Sequence, residues 1–119
     1  MKRYLLLFAL LIYFPACYYD NASELHPVIP ECDTTNVTYT HSIEPIFSTN
    51  CGTNNSCHSS SMAEGGVVLD NYQSAAQVDS AILVSSIEQT GSSIMPPTGK
   101  LSDCNINLIK LWIQNGRPQ

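Results

Sequence analysis

A chain of 119 residues carries five basic side chains against ten acidic ones, a formal net charge of −5. That balance argues against nucleic acid as a partner, since little in it would neutralise phosphates, and it disfavours adsorption to anionic headgroups. At this length one domain is the limit, and a core so small usually gains stability from a disulfide, a metal or a cofactor.

The chain opens on a basic start, Met1-Lys2-Arg3, followed by an uncharged run from Tyr4 to Phe14 rich in Leu, Ile and Phe, and then Pro15-Ala16-Cys17. A basic region, a short apolar stretch and a small residue at the cut predict a secretory signal over residues 1–16, too short to span a bilayer comfortably. Cys17, directly after Ala16, resembles the lipobox cysteine of bacterial lipoproteins. The resemblance implies that Cys17 is acylated as the first mature residue, with two chains supplying a stable anchor. The alternative is ordinary cleavage that leaves Cys17 a free thiol, an awkward outcome in an oxidising compartment. Cleavage would leave Lys100, Lys110 and Arg117 as the basic residues against all ten acids, a net charge of −7. Membrane attachment would then rest on the lipid alone.

Residues 17–36 read as a tether, with two prolines, several turn-formers and no sustained periodicity; His26 within it is expected to be solvated. Residues 37–119 form the domain. In "THSIEPIF", Ile43, Ile46 and Phe47 fall at i, i+3 and i+4, one face of a helix. Pro45 fits only a first turn, so the helix is expected to begin near His41 or Ser42, either of which could cap it, and to end near Asn50. A second segment runs from Asn71 to Glu88, with a break expected near Asp79-Ser80. The third, Ser102 to Asn115, is the clearest. Ser102 or Asp103 can cap it; Ile106, Ile109, Trp112 and Ile113 line one face, Leu108 and Leu111 widen it, and Gly116 and Pro118 close it. Beyond Gly66 to Leu69 no strand pattern occurs, and the predicted class is all-α.

Between the first two helices lies "NCGTNNSCHSSS", and between the last two "TGSSIMPPTGKL". With Cys17 assigned to lipid, Cys32, Cys51, Cys57 and Cys104 remain. Four cysteines allow three disulfide pairings; alternatively Cys51 and Cys57 hold a haem and Cys32 pairs with Cys104. Parity does not choose. Zinc is disfavoured because the adjacent Cys57 and His58 seldom both reach one tetrahedral ion. A Cys51–Cys57 disulfide in a polar loop is the stronger competitor.

Covalent haem accounts for the Cys-His adjacency that the other readings leave unexplained. Two thiols add to the haem vinyl groups, and the histidine after the second ligates iron; the spacer need only loop between the vinyls. Gly52 to Ser56 are small, polar and turn-forming. For the far side of the iron, Met62 follows His58 too closely to cross the ring. Met95, held extended by Pro96, is the candidate, against the ordinary fate of a packed core methionine.

Taken together, the stretch from about Val37 to Gln119 resembles a mono-haem cytochrome c domain of the bacterial envelope lipoprotein type. "YTHSIEPIFSTNC" resembles that family's first helix, "CGTNNSCH" a lengthened attachment motif, "SIMPPTG" its distal methionine loop and "KLSDCNINLIKLWIQNGRP" its closing helix. The resemblance implies a small cytochrome c-like fold, with the N- and C-terminal helices packed across each other beside a covalently bound haem and Phe47 meeting Trp112. It implies haem c as cofactor, Cys51 and Cys57 as thioether positions, and His58 and Met95 as the proximal and distal iron ligands. The expected function is extracytoplasmic electron transfer with a redox partner in the cell envelope, by a monomeric, lipid-anchored protein facing the periplasm that is not itself an enzyme. Two alternatives stand beside it: a haem protein binding a small gaseous ligand, and a haem-free, disulfide-stabilised envelope lipoprotein. The bland readings elsewhere are a surface His41, a core Trp112, and solvated Lys100 and Lys110.

Overall fold

The computed structural model describes residues 32–119; the expected signal segment, Cys17 and the tether up to residue 31, including His26, lie outside the described residues. Thr38 starts the first helical segment from an extended conformation, its Oγ1 accepting the His41 amide at 3.3 Å. A π-helical turn, Tyr39–Ile43, runs directly into helix α1, Glu44–Asn50. The start therefore lies upstream of the expected His41 or Ser42, and Thr38 is the cap. The physical reason is Pro45. Within an α-helix its ring would clash with the carbonyl four residues back. The wider turn, with the amides of Ile43 and Glu44 reaching five residues back to the carbonyls of Thr38 and Tyr39, lets the helix extend upstream without that clash. The predicted apolar face is the one buried: Ile43, Ile46 and Phe47. His41 is exposed.

A 3-10 turn, Glu64–Gly66, follows the cysteine loop, and the Val67 to Leu69 stretch after it is irregular; no strand occurs among the described residues. The second predicted segment is two helices, α2 (Tyr72–Ala75) and α3 (Ser80–Ile87). Asn71 caps the first by accepting the Ser74 amide. Asp79 forms the break: its Oδ1 accepts the amides of Ala81 and Ile82 at 2.9 and 3.0 Å. A carboxylate at that position satisfies two donors a helix start leaves orphaned and favours a new helix over continuation. Asp79→Ala is expected to cost about 1 kcal/mol, read as a lowered denaturant midpoint with an unchanged slope.

Helix α4, Asp103–Gln114, starts at Ser102, whose Oγ accepts the Asn105 amide at 3.2 Å. It buries Ile106, Ile109 and Trp112 and packs against the π-helical turn and against α3. Helix pairs around one core, with no sheet, give the all-α class expected. Phe47 and Trp112 are both fully buried in the same core, and the ring of Tyr39 also lies near Trp112, 6.0 Å between centroids. The upstream extension of the first segment is what brings Tyr39 there.

The C-terminal tail locks this arrangement. The Pro118 carbonyl accepts from the Tyr39 amide and Trp112 Nε1, each at 2.9 Å. Tyr72 donates to the Arg117 carbonyl at 2.9 Å. The Arg117 guanidinium donates to the carbonyls of Ala76 and Val78 and to Ser80 Oγ, and lies over Trp112. Lys110, expected in solvent, pairs with Glu88 at 2.8 Å, while Lys100 makes a looser, exposed pair with Asp103. At the other end, a disulfide joins Cys32 to Cys104, fastening the incoming chain to the first turn of α4. No described helix is long and apolar enough to cross a membrane.

Candidate haem-attachment site

Helix α1 delivers the first cysteine. The Cys51 amide donates to the Phe47 carbonyl at 2.8 Å, so Cys51 is the helix cap. Beyond it the chain turns back at Gly52, φ +65°. A Cβ there would stand 3.1 Å from the Cys57 amide nitrogen, a close return that suits glycine. The loop closes when the His58 amide donates to the Cys51 carbonyl at 3.3 Å. Both thiols are free, Cys51 half-buried and Cys57 exposed, so the competing Cys51–Cys57 bridge is not adopted.

His58 is held on every side. Its carbonyl accepts the Leu69 amide at 2.8 Å, and the Cys57 carbonyl accepts the Glu64 amide at 2.7 Å. Its ring Nδ1 lies 3.2 Å from the Val67 carbonyl. A carbonyl only accepts, so Nδ1 is the donor of this bond. The residue is 9% exposed, yet Nε2 has no hydrogen-bond partner among the described residues and is not enclosed. An oriented ring with its far nitrogen unpartnered is the arrangement of a metal-ligating histidine whose other nitrogen is fixed by a carbonyl. Two free thiols beside it complete a donor set that fits covalently attached haem. Among the described residues no cluster of three or more His, Cys, Asp or Glu side chains is placed to hold a metal ion.

The wall that orients the ring comes from the turn after the site. Gly66, φ +76°, ends the 3-10 turn and directs Val67 back towards His58. Asp70 braces the same loop: hydrogen bonds from the Ser60 hydroxyl and amide hold its carboxyl below the usual range. Ser59, 2% exposed, bonds the Ser56 carbonyl and packs beneath.

Met95 is placed by a different element. Its amide donates to the Ser86 carbonyl at the end of α3, 3.1 Å, and the side chain is half-buried. The Met95–Pro96 bond is cis, and Pro96 is buried. No hydrogen bond among the described residues joins this loop to the Cys51–His58 loop, so the core alone relates the two. Met62 is 60% exposed. A cavity of about 380 Å³ with Val67, Val68, Val78 and Ile82 among its apolar walls and Ser74, Gln77 and Asp79 at its polar ones adjoins the histidine through Val67; none of Cys51, Cys57, His58 or Met95 lines it.

Residues 55–99 match the family model described as Planctomycete cytochrome C. The match supports a cytochrome c-like domain, with haem-based electron transfer as its general function, an electron carrier rather than an enzyme, and covalently bound haem c as its cofactor. The matched stretch contains Cys57, His58 and Met95; Cys51 lies just before it and α4 beyond it. No curated protein and no solved structure gives a significant match.

Sequence reasoning missed the groups that orient the candidate ligands, namely the carbonyls of Val67 and Ser86 and the amide of Leu69. Every residue carries these groups, so side-chain identity does not mark them; Gly65-Gly66 was the only local sign of a turn there. Burial has a titration consequence in the haem-free chain, for it pushes the Cys51 thiol from 9.0 up to about 11. Below pH 9 the folded and unfolded thiols both keep their protons and stability is unaffected. As pH rises through 9 to 11 the unfolded thiol ionises first, so stability falls, by about 2 to 3 kcal/mol from this group. Burial likewise raises Tyr39 to about 12, with Glu44 and Asp70 adding to the shift, which extends the loss to higher pH. Urea titrations of haem-free protein between pH 8 and 11 should show it, and Cys51→Ala should remove the part that begins near pH 9 and leave the Tyr39 part that begins near 10.

Proposed function

We propose that this protein is an extracytoplasmic electron carrier holding one covalently bound haem c, with thioethers to Cys51 and Cys57 and axial ligation by His58 and Met95. The observation that carries the reading is His58 itself: directly after Cys57, bonded through its amide to the Cys51 carbonyl, with Nδ1 committed to Val67 and Nε2 open. When bound, haem c supplies a one-electron Fe(III)/Fe(II) couple.

The chain's own residues do the rest. The Val67 carbonyl accepts from Nδ1 and so orients the His58 ring, leaving Nε2 without a partner among the described residues. The amides of Glu64 and Leu69 hold the backbone on either side of the Cys57–His58 bond, and the Val67 carbonyl holds the ring; together they would present His58 to the iron in one orientation. Ser86 holds Met95 at the backbone, leaving the thioether free to serve as a soft donor that favours the reduced state. The sequence of residues 1–17 supports secretion and lipid attachment through Cys17, and the excess of acidic over basic residues suits a partner with a basic docking surface in the envelope.

Expression in a periplasm with and without the haem-attachment machinery tests the reading. Haem staining should follow the chain on a denaturing gel only with the machinery present. A colourless product in both would leave the haem-free lipoprotein alternative, and intact mass would report acylation independently. Met95→His is expected to keep covalent haem, abolish the weak far-red band diagnostic of iron–methionine bonding, and lower the reduction potential. Redox titration of the variant measures this; an unchanged band and potential would remove Met95 from the ligand set.

A further inference from the structure

We infer that the five-residue spacer is extruded from the site, so that the relative placement of the two thiols is set by the hydrogen bond from the His58 amide to the Cys51 carbonyl and by the elements flanking the loop, not by spacer length. The inference rests on the haem reading above and deepens it.

The geometry separates the anchors from the loop. Cys51 is positioned from upstream, by its amide bond to Phe47 at the end of α1. Cys57 and His58 are positioned from downstream, by the amides of Glu64 and Leu69 and the carbonyl of Val67. Between these anchors the chain makes a closed excursion. The Asn55 amide returns to the Thr53 carbonyl at 3.1 Å, with Asn55 in the left-handed region at φ 54°. Asn54, Asn55 and Ser56 are exposed, and Asn54 Nδ2 reaches Ser48 Oγ at 3.3 Å, pinning the excursion back on α1. No residue of the spacer belongs to the core.

The closing bond explains the register. With a two-residue spacer the histidine would sit four positions after the first cysteine, where one α-helical turn joins the same amide to the same carbonyl. Here that donor and acceptor meet at 3.3 Å across seven positions. Three residues are therefore surplus to the register. In attachment each S–H adds across one haem vinyl C=C; the S–H and π bonds break, C–S and C–H bonds form, and nothing is released or oxidised. The balance needs only that both sulfurs reach their vinyl groups, and the backbone that carries them is held by the flanking anchors and not by the spacer.

Two full-length variants test this, each co-expressed with the haem-attachment machinery: deletion of Thr53 to Asn55, and insertion of Gly-Gly between Asn54 and Asn55. Three readouts apply: the pyridine haemochrome band, which moves with the number of remaining vinyl groups; alkylation of the unfolded, unreduced chain followed by mass, which counts unconsumed thiols; and amide exchange at His58 in haem-free protein. Both variants are expected to match the parent chain in all three, with two thioethers and equally slowed His58 exchange. A parent chain with two thioethers beside a folded variant with one would overturn the inference. So would fast His58 exchange in either folded variant. A parent chain without covalent haem sinks the haem reading instead. In that case equal protection of His58 in all three chains still supports the register, and unequal protection overturns it. The insertion adds residues only at an exposed point, so it keeps the test decisive if the deletion fails to fold.

Discussion

His58→Ala is expected to lower the affinity of the haem-free chain for haem at least ~100-fold. Loss of an outer partner that merely orients a metal-bound histidine typically costs 10- to 100-fold, and this change removes the nitrogen itself. The Val67 carbonyl also loses its donor, a structural cost of about 1 kcal/mol. The control is His41→Ala. That ring is exposed and engages only its neighbour Ser42, so its loss should leave haem affinity unchanged. Haem titration of both variants, followed in the Soret region, gives the comparison. Equal affinities would show that His58 does not bind iron, whatever the motif around it.

Removing the disulfide should have the largest effect on stability. Cys32 and Cys104 are 72 positions apart and close most of the described chain into one loop. Constraining the unfolded chain over that span is worth about 4 kcal/mol on the chain-entropy model. For a domain of this size that corresponds to a thermal midpoint lower by about 15 to 30 °C. A Cys32→Ser, Cys104→Ser double variant, melted beside the parent chain in its haem-free form, measures it. Dithiothreitol should lower the parent midpoint towards that of the variant and leave the variant unmoved. A shift of only a few degrees would mean that strain in the native bridge, or residual order in the unfolded chain, offsets the entropy.

Elements whose determinants are local were legible before any coordinates. Helix α4 is the plainest case: its serine cap, its apolar face at helical spacing and its closing glycine all lie within fifteen residues, and each acts on its immediate neighbours. The break at Asp79 is of the same kind, because a carboxylate caps amides two and three residues ahead. The start of the first helical segment was misplaced for a related reason. Pro45 does lie in the first turn of α1, but a π-helical turn capped by Thr38 precedes it and sets Tyr39 against Trp112. Local rules see a proline's missing donor but not the alternative hydrogen bonds that tertiary packing makes worthwhile.

The sequence by itself determined the inventory: an all-α chain, a Cys-His pair with a second thiol upstream, a methionine before proline, and cysteines that parity alone could not pair. Tertiary structure decided how that inventory is arranged. It joined Cys32 to Cys104, left Cys51 and Cys57 free, turned the Val67 carbonyl onto Nδ1 of the His58 ring, and closed a seven-position gap with a single amide. These relations run through backbone carbonyls and amides, which every residue carries, and through contacts between segments far apart in the chain. Residue identities encode such relations only through the packing of the whole core, so they emerge once the helices have met.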